Sequence, residues 1–106
     1  MDALSYVVRS RECDDFYPFK HFSALPPARA FATKQVETQV AERAEIWAVH
    51  AGDARAAVAA LKMGQGEFVE LRAPRASQAE LQRELERDWK IAVNRGPDAI
   101  LKFLGL

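Results

Sequence analysis

The residues of this chain best suited to chemistry are its one cysteine, its two histidines and a pair of adjacent aspartates. Cys13 and His21 offer a nucleophile and a base, provided a base or positive group keeps the thiol ionised. They also offer two ligands to a metal, but no second Cys or His pair stands beside them and a zinc site needs four ligands. No metal is therefore expected. Asp14 and Asp15 could bind a cation or act as acid and base, although adjacent carboxylates beside a strand end are ordinarily solvated loop residues. His50 stands with Gly52 and Asp53 just before a predicted helix, whose first N–H groups attract anions. Asp53 in the cap position already offers a carboxylate to those donors and competes with any anion. Cys13, Asp15, His21 and His50 are kept as candidate ligand-binding residues. The plainer reading of the same residues is a small half-buried thiol, a loop histidine and a capped helix junction. Gly64-Gln-Gly66 follows a predicted helix and precedes a predicted strand, the reverse of a phosphate loop, so it is a turn and no cofactor is expected.

A second feature surrounds the first. Four of the ten aromatic residues, Phe16, Tyr17, Phe19 and Phe22, fall within seven positions of the segment from Glu12 to Pro27, together with three of the five prolines. The segment is too irregular for a long helix or strand and too aromatic for a solvated loop. Its aromatic residues either cover the core as a lid or stay exposed as a recognition patch. Aromatics ringed by charge are characteristic of interface centres. Phe16, Tyr17, Phe19, His21 and Phe22 are accordingly the candidate partner-binding residues.

Composition narrows the classes of function. Fifteen basic and fifteen acidic residues give a formal charge of zero, which argues against a general nucleic-acid binder or an anionic-membrane binder. Arg9, Arg11, Arg29, Arg72 and Arg75 lie at predicted strand ends, where arginines beside aromatics could stack on single-stranded nucleic acid; scattered surface arginine is the simpler account. Near-zero charge also gives little repulsion between copies. A lone cysteine makes no internal disulfide and fits a reducing compartment. The start, MDALSYVVRS, lacks the pattern of a signal peptide, and no run approaches the ~20 apolar residues of a membrane span. The expected location is the cytoplasm.

The elements that must position these residues are read from patterning. LSYVVRSR over 4–11 is a strand, and ARAFAT over 28–33 reads as a second, joined to the first by the aromatic segment. From Lys34 to Ala51, the residues Val36, Val40, Ala44, Trp47 and Ala51 repeat at helical spacing and favour one continuous amphipathic helix. The competing reading stops the helix near Ala44 and makes 45–50 a strand, which would create a β-α-β unit over 45–72 with a parallel pair. Asp53 caps a helix over 54–63. EFVELR over 67–72 is a strand with Phe68 and Glu70 on one side and Val69 and Leu71 on the other. Ser77-Gln-Ala-Glu80 is a capping box that starts a helix burying Leu81, Leu85, Trp89 and either Ala92 or Val93. Pro97 opens a last short helix that buries Ile100, Leu101 and Leu104.

These readings predict one α+β domain over residues 1–106. Its sheet has three mainly antiparallel strands with helices on one face, in the order β-β-α-α-β-α-α. The function they favour is a non-enzymatic protein-interaction module, a small adaptor, inhibitor or regulatory subunit that binds a protein partner, or a second copy as a homodimer, through residues 12–27. The alternatives are a small enzyme or ligand binder with a pocket between the aromatic loop and the sheet, and single-stranded nucleic-acid binding.

Overall fold

The computed structural model describes residues 4–11, 18–74 and 78–104. Its elements run β1 (Leu4–Arg11), β2 (Phe19–Phe22), α1 (Leu25–Glu37), β3 (Arg43–His50), α2 (Ala54–Lys62), β4 (Glu67–Arg72), α3 (Gln78–Arg95) and α4 (Pro97–Phe103). The class is α+β, as expected. The sheet, however, has four strands in the order β2-β1-β3-β4, with every neighbouring pair antiparallel.

Three corrections to the sequence reading have clear physical causes. The stretch 28–33 is helix, not strand. Pro26 and Pro27 occupy the first turn of α1, where a proline ring costs no hydrogen bond and presets φ. Ala28 and Ala32, four residues apart on one face, are both fully buried, and alanine is the best helix former. The continuous helix over 34–51 does not exist either. Helix α1 ends at Glu37, with Thr38 at its C-cap. Gln39 then takes a left-handed φ of 61° and donates its N–H to the Val36 carbonyl, a helix-ending geometry usually given to glycine. The apparent stripe was a coincidence of spacing. Val40 is exposed, whereas Ala44 packs in one core cluster and Trp47 and Ala51 in the other. The competing strand reading is the nearer one, yet its parallel pair is absent: β3 and β4 are antiparallel neighbours. Helix α2 between them packs on β1, β2 and β3.

The third correction concerns the layers. Helices cover both faces of the sheet, not one. On one face α1 meets Val8, Ala44 and Ile46 through Ala28 and Ala32, with Tyr6, Phe22, Phe31 and Val69 packed around them. On the other, α2, α3 and α4 meet Val7, Trp47 and Val49 through Ala57, Leu61, Ala92, Ile100 and Leu104. Two covered faces explain why β1 and β3 are buried on consecutive residues rather than alternate ones.

Strand β4 also departs from simple alternation. Phe68 pairs with Trp47 and Glu70 with Ile46, so Val69 is an extra residue in a bulge. The bulge turns Phe68 to the same side as Leu71, which pairs with Glu45, and sends Val69 to the α1 side. Helices α3 and α4 follow the expected stripes in part: Leu85, Ala92, Ile100 and Leu104 are buried, Leu81, Trp89 and Leu101 are half-buried, and Val93 is exposed. Ser77, the expected cap of α3, lies outside the described residues. Gly64 closes the turn after α2 with φ +75°, where a Cβ would stand 2.7 Å from Ile100 Cδ1; only glycine suits that position.

Candidate functional site

The polar centre of the molecule is one that sequence reasoning missed. Arg9 and Glu45 are direct partners across β1 and β3, and each side chain is only 1% exposed. Arg9 donates from Nη2 to Glu45 Oε2 at 2.8 Å and from Nη1 to the Phe103 carbonyl at 2.8 Å. Trp47 donates its indole N–H to Glu45 Oε1 at 3.2 Å. The guanidinium lies 5.2 Å from the Phe103 ring centroid, within cation–π range. Around this pair stands an aromatic wall. Trp47 meets Trp89 at 4.9 Å, Phe68 at 5.6 Å and Phe103 at 6.1 Å between ring centroids, all edge to face, the arrangement that ring quadrupoles favour. A buried ion pair must recover a large desolvation cost through geometry. Here each partner has several hydrogen bonds, and the C-terminal end of α4 supplies a carbonyl to the cation. The signal available in sequence was an arginine directly after Val7 and Val8 in one strand and a glutamate flanked by Ala44 and Ile46 in another.

Of the candidate partner-binding residues, Phe16 and Tyr17 lie outside the described residues, as do Cys13, Asp14, Asp15 and Arg75. Phe19, His21 and Phe22 lie on β2, not on an irregular loop. Their side chains divide between the two layers. Phe19 packs on the cluster beneath α2–α4, while Phe22 joins the α1 cluster and lies 5.4 Å from the Phe31 ring. These two rings hold β2 to the core from both sides. His21 is half-buried, and its Nε2 is enclosed without a hydrogen bond among the described residues.

The two histidines do not meet. His21 pairs with Val7 and His50 with Leu4, three positions along β1 and on two different neighbouring strands. Strand alternation sends Val7 and Leu4, and the residues opposite them, to opposite faces of the sheet. His50 is exposed beside a shallow cleft lined by Ala51, Gly52, Ala56, Ala59 and Met63. Asp53 caps α2 as expected, accepting the Ala56 N–H at 2.8 Å. Among the described residues no group of three or more His, Cys, Asp or Glu could hold a metal.

Of the candidate arginines, Arg29 and Arg11 do reach the surface, but those described also make specific pairs. Arg9 is buried. Arg29 and Arg72 both pair with Glu70, and Arg72 also donates to the Thr33 hydroxyl. That network borders a cleft of about 610 Å³ between the end of α1, the end of β4 and the start of α3. Arg11 stands opposite Arg43 at the end of the β1–β3 pair.

Among the described residues the two outer edges of the sheet, β2 and β4, differ in kind. In antiparallel ladders, residues whose N–H and C=O point to one neighbour alternate with residues pointing to the other. Ser10 donates to the Pro18 carbonyl, so Val8/Lys20 and Tyr6/Phe22 are the hydrogen-bonded pairs that follow in the β1–β2 register. The backbone N–H and C=O of Phe19 and His21 then point away from β1, along the outer edge. On β4 the corresponding outward carbonyl is that of Leu71. It is already occupied, since Gln78 donates its side-chain amide to it at 2.8 Å, and the bulge at Val69 distorts the same edge.

Comparison with protein-family models, with curated proteins and with solved structures finds no match to this chain. No helix among the described residues is long and apolar enough to cross a membrane.

Proposed function

We propose that this chain is a non-enzymatic protein-interaction module, an adaptor, inhibitor or regulatory subunit, that takes a strand of its partner along the outer edge of β2, within the segment 12–27. The observation that carries this reading is the orientation of the Phe19 and His21 backbone groups at an edge whose strand is fixed from both sides by Phe19 and Phe22. Strand addition needs such a rigid template; main-chain hydrogen bonds supply affinity and flanking side chains supply selectivity. The short length of β2 and the exposed Lys20 limit indiscriminate pairing. The partner is a second copy or a different protein, and the zero formal charge favours self-association. A cytoplasmic setting fits the single cysteine. The pocket alternative is weakened by the placement of His21 and His50 on two different strands, opposite β1 residues three positions apart.

The test uses backbone chemistry. His21→Pro removes an outward N–H and leaves the β1–β2 ladder intact, since proline is tolerated on an edge strand when its nitrogen faces outward. His21→Val removes only the imidazole. Light scattering on the wild type and both variants, followed by capture from the source cell if the wild type is monomeric, should show association lost in His21→Pro and kept in His21→Val. Equal association in all three, with the fold intact by circular dichroism, would reject the β2 edge.

A further inference from the structure

We propose that Arg11 and Arg43 form an oxyanion-binding site at the end of the central β1–β3 pair, taking a carboxylate or phosphate group between their guanidinium planes. The proposal does not rest on strand addition at β2.

The two arginines are direct cross-strand partners, which sets their Cβ atoms only about 5 Å apart on one face. Like charges so placed repel and require a counter-charge. The described counter-charges are poorly matched to that need. Glu42 approaches Arg11 Nε at 3.7 Å, beyond hydrogen-bond length, and its own side chain is 76% exposed. Glu45 approaches Arg43 Nε at 3.4 Å, but its oxygens already accept from Arg9 and Trp47. Neither Arg11 Nε nor Arg43 Nε makes a hydrogen bond among the described residues, although both atoms are shielded from solvent. Among the described residues, three guanidiniums thus face one buried and one exposed carboxylate, an excess of one positive charge.

The remainder of each guanidinium is reachable. The Arg11 and Arg43 side chains are 36% and 21% exposed, so an anion can enter without opening the fold. Two forks side by side suit a group with several oxygens, because guanidinium presents fixed parallel donors to carboxylate and phosphate. The buried Arg9–Glu45 pair directly below holds the β1–β3 register and therefore the spacing of the forks.

Thermal unfolding of the full chain, with inorganic phosphate in one arm and malonate in the other, tests the site against sodium chloride of equal ionic strength. At an anion concentration ten times its Kd, the wild-type Tm should rise by roughly 5–10 °C over the chloride control. Arg11→Gln and Arg43→Gln should each abolish the rise, and Arg55→Gln, at an exposed position on α2, should keep it. Calorimetric titration of the folded variants guards against a stability artefact. Arg11→Lys, which keeps the charge but not the fork, should bind about tenfold more weakly. A rise with phosphate only assigns the site to phosphate groups, and a rise with malonate only to carboxylates. No rise over chloride in either arm, or a rise that survives both Gln variants, overturns the proposal.

Discussion

Arg9 on β1 and Glu45 on β3 face each other across the two central strands, and both are sealed from solvent beneath α3 and α4. The pair links three parts of the chain, since Arg9 also holds the last carbonyl of α4 and Glu45 also holds the Trp47 indole. It is a polar knot within an otherwise apolar layer.

Breaking that knot on one side should be costly. Arg9→Met or Glu45→Leu alone leaves a buried charge without its partner and should lower stability by about 3–5 kcal/mol. The double variant should recover most of this loss. A residue of about 1–3 kcal/mol should remain, because the Trp47 N–H and Phe103 carbonyl lose their partners. Urea unfolding of the double-mutant cycle measures each term; additive losses would show that the two side chains are not coupled.

Gln39 occupies a left-handed position that costs a side-chain-bearing residue about 1 kcal/mol. Gln39→Gly should therefore stabilise the chain, by up to about 0.5 kcal/mol once the added freedom of the unfolded glycine is counted. A rise of a few degrees in Tm is the expected readout, and a fall would mean that the Gln39 side chain makes a contribution of its own.

Gly64 presents the opposite case. A Cβ there meets Ile100 on α4 and must also adopt φ +75°. Gly64→Ala should cost about 1–3 kcal/mol. The companion substitution Ile100→Val should cost less in the Gly64→Ala background than in the wild type, because it removes the clashing Cδ1 atom. Equal costs in both backgrounds would place the strain entirely in the backbone.

The two faces of the β2 backbone give a fourth prediction, independent of any partner. Lys20→Pro removes an N–H aimed at β1 and should destabilise the hairpin measurably, whereas His21→Pro removes one aimed outward and should be much milder. Amide hydrogen exchange on β1 reads the difference. Similar losses of protection in both variants would reverse the assigned orientation.

The elements legible in the sequence were those whose own patterning agrees with the fold. The β-branched run Val7–Val8 made β1 legible, the Leu85–Trp89–Ala92 spacing made α3 legible, and Asp53 marked the start of α2. The errors arose where two signals competed. Ala28 to Thr33 reads as a short strand, although two prolines ahead of an alanine pair indicate the first turn of a helix. The spacing from Val36 to Ala51 imitates one helix because a strand covered on both faces buries consecutive residues, and some of these fall at helical intervals by chance. The site was less legible still. Burial of Arg9 depends on Glu45, Trp47 and Phe103, which meet it only through the strand register and the return of α4. Phe19 and Phe22 were legible as important aromatics, but their division between two layers follows from β2 being a strand.

The bulge at Val69 and the Gln78 amide on the Leu71 carbonyl have a bearing on assembly. A sheet with two receptive edges can grow without limit, each copy offering a fresh edge to the next. Among the described residues the β4 edge is interrupted at Val69 and its Leu71 carbonyl is occupied, so in the proposed strand addition it is the β2 edge that accepts a newcomer. Copies that join through β2 must therefore meet head to head about a twofold axis and stop at two, so the same device that guards one edge caps the size of any assembly built on the other.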